Sequence, residues 1–275
     1  MRILLMLIFT FIVSFSETQA QLFGKKKKND QTEESQKKEG DYQSYDEIVT
    51  AKAITDEGLF NTHRVDEKVY FEIPFALLEK DILWVSRIAK LPSNFGGGYT
   101  NAGSKINEQV VRWHKRGKYV DIKVIDFENE SDESSPIRKS LEANNFFPIL
   151  YSSKIEGFNP DSTALLVEVS SLFTEEVSAI NGMSERSRKR YQVKNLDKSR
   201  SYIESVKSYP QNVEVRHLMT YKADSPPERS QAGTISMLLN QSMILLPEDK
   251  MMPRVADYQV GWFTIDKYDY DSEAL

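Results

Sequence analysis

The chain contains no cysteine. No disulfide can hold its fold, no thiolate can act as nucleophile or metal ligand, and no lipid can be attached through a cysteine behind a leader. Histidine is almost as scarce, with His63, His114 and His217 as the three in 275 residues. None has a second histidine four residues on, the spacing that sets two zinc ligands on one helix face. No Gly-x-Ser-x-Gly turn is present to expose a serine nucleophile. The glycines at Gly96, Gly97 and Gly98 lack the following Gly-Lys-Ser/Thr of a phosphate loop, so a loop with left-handed backbone is expected there. No apolar run reaches the length of about 20 residues that a spanning helix needs.

The longest apolar run is at the start. Met1-Arg2 gives a short positive opening, Ile3 to Phe15 is apolar apart from Thr10 and Ser14, and Ser16 to Ala20 is a small, polar exit. That order is a secretory signal peptide over 1–20, cut near Ala20. It predicts a secreted, periplasmic or cell-surface protein without a transmembrane anchor. Residues 21–44 are rich in Lys, Glu, Gln, Asp and Ser and include the run Lys25 to Lys28. Such a segment buries too little to offset its ordering entropy, and a disordered, solvated tether is expected. The net charge of -5 argues against nucleic acid as a general partner.

Behind the tether the period-2 pattern of strands dominates. Lys68 to Ile73 reads as a strand rich in β-branched and aromatic residues, with Pro74 opening a short helix through Phe75, Leu77 and Leu78. Asp81 to Lys90 is extended. Glu108 to His114 and Lys118 to Phe127 form a hairpin joined by Lys115-Arg116-Gly117. In its second arm Tyr119, Asp121 and Lys123 alternate with Val120, Ile122 and Val124, which predicts one wet and one buried face. Pro136 to Asn145 is expected to be helical with Ser135 as cap. Further strands are expected over 146–155, 163–170, 202–209, 213–223, 234–246 and 259–265, with 182–200 as a basic, polar loop. The fold class is α+β, a large and mainly antiparallel sheet with a few short helices. The divisions are a small N-terminal region at 45–90, a β-rich domain at 81–265 and an acidic tail at 266–275.

Tyr45-Asp46, Asp56 to Phe60 and Tyr70 to Pro74, followed by Asp81 to Ile88, Gln109 to Trp113, Asp197 to Ser201 and Pro210 to Val215, stand in a specific order. Leu246-Pro247, Met252-Pro253-Arg254, Asp257 and Val260 to Phe263 complete it. In that order the body resembles the N-terminal region of large secreted bacterial zinc-dependent metallopeptidases, where two regions of unknown function precede a metzincin-like zinc domain. Gln259 departs from the arginine that the resemblance leads one to expect before Val-Gly. The resemblance implies a family cofactor, zinc, and a downstream metallopeptidase domain as partner. It carries no catalytic, cofactor or metal position onto this chain, because the histidine pair is missing. The zinc domain is expected to lie beyond Leu275, with the present chain inactive alone.

Other candidate chemistry reads more simply as structure. The acidic stretch Asp126, Glu128, Glu130, Asp132, Glu133 is expected to be a solvated loop. The tail residues Asp266, Asp269, Asp271 and Glu273 lack the glycine and spacing of a calcium loop. The basic cluster from Arg186 to Arg200 interleaves Tyr191 alone and reads as a solvated or partner-facing loop. Trp84, Trp113 and Trp262 lie in apolar, strand-like runs and are expected in the core rather than on a sugar-binding platform. The histidines are expected at surface or half-buried positions. The functional expectation is a non-catalytic part of a secreted zinc metallopeptidase, either a permanent scaffold or a cleaved prodomain, with a protein or peptide substrate. The alternative is a free-standing exported module that binds glycan or a surface protein.

Overall fold

The computed structural model describes residues 42–227, 233–249, 251–252, 259 and 268–271. The expected signal peptide, most of the expected tether, Trp262 and all but Gln259 of the strand expected over 259–265 lie outside them. Order reaches back into the expected tether. Tyr42 packs edge-on against Phe158 and the Gln43 N–H donates to the Glu156 carbonyl at 2.9 Å.

The first elements are α1 (Tyr45–Ile48), β1 (Ile54–Asp56), β2 (Asn61–Val65), β3 (Lys68–Pro74) and β4 (Ile82–Lys90). The hairpin follows as β5 (Lys105–Arg116) and β6 (Tyr119–Ile125), then β7 (Asn129–Glu130), α2 (Arg138–Asn144), β8 (Ile149–Phe158), β9 (Ala164–Glu168) and α3 (Ser170–Thr174). The last elements are α4 (Glu185–Tyr191), β10 (Val193–Leu196), β11 (Tyr202–Tyr209), β12 (Asn212–Ala223), β13 (Thr234–Leu245) and β14 (Tyr268–Asp269). Twelve strands form one antiparallel sheet in the order β1-β2-β3-β9-β8-β6-β5-β4-β13-β12. Both β10 and β11 pair with β12 at its far end in that order.

The sheet curls until its ends nearly meet. The seam is held by side chains and loops rather than by a ladder. Arg64 on β2 donates to the Ile203 and Glu204 carbonyls of β11 at 3.1 and 3.2 Å. Ser208 Oγ donates to the Phe60 carbonyl at 2.6 Å, and the Leu59 N–H to the Tyr209 carbonyl at 2.8 Å. Gly58 lets the two ends approach, since a Cβ there would lie 2.4 Å from Ser208 Oγ and 2.6 Å from the Tyr209 nitrogen.

Inside, Phe60, Phe71, Trp84, Trp113 and Phe173 interlock, with ring centroids 5.7 to 6.3 Å apart. Trp84 and Trp113 are thus core residues, which removes them from any sugar platform. The short helix α3 enters this interior, with Leu172 and Phe173 fully buried. A filled interior of this kind is a packed core rather than a ligand lumen. A second core lies under α4, where Tyr191 stacks on Phe95 at 5.4 Å and its hydroxyl accepts from the Gly96 N–H at 2.7 Å. The glycine loop needs the left-handed region, as expected, at Gly96 and Gly97 (φ 67° and 71°).

Three expectations change. The segment 182–200 is not a plain loop. It forms α4, β10 and a 3-10 turn, and Ser184 caps α4 by accepting from the Ser187 N–H at 3.2 Å. Glu185 begins this helix, and Arg188, Lys189 and Arg190 end it, which suits its dipole. The expected cap Ser135 is not the cap of α2, whose first helical residue is Arg138 behind Ile137. The hairpin's polar face is not uniformly wet, because Asp121 is fully buried on it. Arg116 donates to both its oxygens at 2.7 and 3.1 Å, and Ser152 Oγ donates at 2.6 Å. Those contacts, Arg116 foremost, hold the Asp121 carboxyl below its usual range against the effect of burial.

Replacing Gly58 by alanine should lower stability by about 2 kcal/mol, because the seam backbone has no room to yield. Urea denaturation of the variant checks this, and an unchanged midpoint would show that the seam is not tight.

Candidate functional site

The structure separates the three histidines and corrects their expected exposure. His63 and His217 are buried, while His114 is half-exposed and meets Glu79 at 2.5 Å. Among the described residues no group of three His, Asp or Glu side chains is placed to hold a metal.

His217 belongs to a polar chain through the middle of the core. Its Nδ1–H donates to the Phe173 carbonyl of α3 at 2.7 Å, which leaves Nε2 as an acceptor. Gln241 Nε2 donates to that Nε2 at 3.0 Å and to the Ile180 carbonyl at 3.0 Å. Gln241 Oε1 in turn accepts from Trp84 Nε1 at 2.9 Å and Ser86 Oγ at 2.5 Å. Both hydrogens and both lone pairs of the Gln241 amide are used, the condition for a buried amide to stabilise rather than cost. Burial pushes the His217 pKa down from 6.5 to about 4, and the ring is neutral at pH 7. A neutral imidazole with both nitrogens committed cannot ligate a metal or shuttle a proton.

A second cluster sits on the outer face of the sheet where α1 covers β2 and β3. Glu72 Oε2 meets His63 Nε2 at 2.9 Å and accepts from the Tyr45 hydroxyl at 3.2 Å. Glu72 Oε1 accepts from Asn61 and Asn159 at 3.4 and 3.3 Å, while His63 Nδ1 meets Thr55 Oγ1 at 2.9 Å. Burial works to raise the Glu72 pKa, but His63 and the hydrogen bonds outweigh it and the carboxyl is held below its usual range. The same burial, reinforced by the Glu72 charge, pushes Tyr45 up to about 12. Thr55, His63 and Glu72 line up as hydroxyl, imidazole and carboxylate. Thr55 nevertheless stands on the regular edge strand β1 rather than on the sharp turn that presents a nucleophile. The cluster is a clasp that ties α1 and the β8–β9 turn to the sheet.

The acidic loop and acidic tail, far apart in sequence, meet. β7 and β14 pair in parallel, and Asp271 accepts from the Asp132 N–H. The loop keeps Asp126, Glu128, Asp132 and Glu133 exposed, as expected, while its Asn129–Glu130 stretch pairs with the tail to form a wall. With α2 and the outer face of β5 and β6 it frames a cavity of about 660 Å³. Asp126, Asp132, Glu133 and Asp271 face Arg112, Lys123 and Arg138 there. Asp266 and Glu273 lie outside the described residues.

Residues 103–275 match the family described as Domain of unknown function (DUF5117), which is more than half of the chain. The chain belongs to the DUF5117 family. Residues 42–91 match a second Domain of unknown function (DUF5118). No curated protein and no solved structure matches this chain. The DUF5118 and DUF5117 regions are not structurally separate, since β4 of the first lies between β5 and β13 of the second. The core polar chain joins them too: Trp84 and Ser86 come from the DUF5118 region, His217 and Gln241 from the DUF5117 region. His217 was visible in the sequence as an isolated histidine. Gln241 carried no signal beyond being a polar residue in an apolar strand, and Glu72 looked like an ordinary polar position in β3.

The depressed His217 pKa gives a pH dependence. Below pH 6.5 the unfolded chain takes up a proton that the folded chain refuses until about pH 4, so stability falls as pH drops through that window. The loss should be about 3 kcal/mol, and His217→Gln should flatten this part of the profile in denaturation series at graded pH. Glu72, whose folded pKa is lowered, adds a separate loss at more acid pH, below the ordinary glutamate value of 4.5.

Proposed function

We propose that this chain is the non-catalytic N-terminal part of an exported zinc-dependent metallopeptidase, folding against or covering a zinc domain supplied by the rest of the enzyme. The observation that carries the non-catalytic reading is the fate of the histidines. Each is tied to a different structural partner: His63 to Glu72, His114 to Glu79 and His217 to Phe173 and Gln241. A packed interior and an absence of convergent metal ligands among the described residues agree with it. The link to the metallopeptidase rests on the ordered segments from Tyr45 to Phe263 that resemble such enzymes. Export rests on the leader at 1–20. Permanent scaffolding fits better than a cleaved, cysteine-type inhibitory segment, because there is no cysteine to place on zinc.

The alternative, a free-standing exported module for glycan or surface protein, loses two of its three tryptophans to the core. Purified chain supplied with zinc should cleave no peptide. It should co-elute with a zinc domain taken from an enzyme carrying these same two regions. Zinc-dependent cleavage by the isolated chain, or failure to bind any such domain, would reject the proposal.

A further inference from the structure

We propose that the outer face of β4, β13, β12 and β11 is a docking surface for an acidic polypeptide segment in extended conformation. The inference does not depend on the zinc-domain reading. This face carries an open groove of about 590 Å³ lined by four cations, Arg87, Lys90, Lys207 and Arg216, and by a single acid, Glu214. The chain as a whole is net negative, at -5, so this patch runs against its overall charge.

The way the arginines are held is the stronger point. Glu214 neutralises neither of them. Its oxygens accept from Asn212 at 2.9 Å, Asn240 at 2.8 Å and Ser242 at 2.7 Å. Asn240, oriented by that bond, presents Oδ1 to Arg216 Nε at 3.3 Å. Arg87 is steadied by the Gly103 carbonyl, to which its Nη1 donates at 3.1 Å. Each guanidinium is therefore positioned by a neutral acceptor. Among the described residues Arg87, Lys90 and Arg216 have no carboxylate within ion-pair distance, whereas Lys207 pairs with Asp56 at 3.5 Å. A guanidinium fixed this way keeps donors for a planar oxyanion and has already lost part of its rotamer freedom.

Sheet register sets the spacing. Arg216 and Arg87 both pair with Asn240, one on each side, so they stand two strand spacings apart, about 10 Å. Lys207 opposes Glu214, one same-face step along β12 from Arg216, which makes Lys207 and Arg216 diagonal neighbours about 8 Å apart. An extended peptide repeats its same-face side chains at about that step. Acidic residues at alternate positions can then meet Arg216 and Lys207 in succession, while the exposed Tyr209 ring gives the peptide apolar contact. The apolar contact favours a polypeptide over a bare inorganic anion.

Fluorescence anisotropy of the full chain with a labelled peptide of alternating Glu and Ser, at low ionic strength, tests this. A Gln-Ser peptide, inorganic phosphate and a sulfated polysaccharide serve as competitors. The Glu-Ser peptide should bind, and the double variant Arg87→Gln/Arg216→Gln should weaken it by about tenfold. Lys115→Gln, on the exposed hairpin, should change nothing. Thermal melting verifies that the double variant folds, and the exposed Lys90→Gln reads the same groove if it does not. Absent binding, equal binding of the Gln-Ser peptide, binding that survives loss of these cations, or tighter binding of phosphate or polysaccharide at the same arginines would overturn the proposal.

Discussion

The architecture depends on one buried amide. Gln241 stands at the centre of the core and spends its whole hydrogen-bonding capacity on Trp84, Ser86, His217 and the Ile180 carbonyl. An apolar residue there could fill the space, but it would leave an indole N–H, a hydroxyl, an imidazole nitrogen and a carbonyl unpaired in a low-dielectric interior. The amide also fixes the path of the chain. Through His217 it holds the Phe173 carbonyl, and through Ile180 it holds the exit from α3, so both ends of the segment that fills the curled sheet are pinned. Hydrophobic packing by itself would allow α3 to slide, because aromatic contacts are adaptable in register. Directional bonds select one position.

How much of this was legible in the sequence follows from the kind of information each feature needs. The long strands were readable because alternation and β-branched content act locally: β3, β4, β11, β12 and β13 sit within a residue or two of where the pattern puts them. The left-handed glycine loop and the hairpin at Gly117 were readable for the same reason. The helix α4 was hidden because six of its seven residues are charged or polar and it buries Tyr191 alone. A short helix with so narrow an apolar stripe resembles a solvated loop. Asp121 was misjudged because its face of the hairpin is capped by Arg116, a contact that depends on how the turn folds back.

The polar clusters were the least legible. Glu72 lies in a strand that is buried on both faces, and its donors come from Tyr45, Asn61, His63 and Asn159 across more than a hundred residues of chain. The pairing of β7 with β14 has the same character, since two acidic stretches that look solvated separately become one wall. Such contacts follow from the curl of the sheet and cannot be written in any local period. Charge is distributed by the same curl, which collects carboxylates near α2 and cations on the outer face of β11 to β4.

The placement of β4 has a consequence for how such a protein can be inherited. Two sequence regions that are recognised separately contribute to a single ladder, with β4 zipped between β5 and β13. Severing the polypeptide in the 92–102 interval would give neither half a finished sheet: the first would carry β4 without neighbours, and the second would bare two adhesive strand flanks. Recombination that shuffled one region without the other would thus yield aggregating fragments. Only a chain that carries both regions completes that ladder.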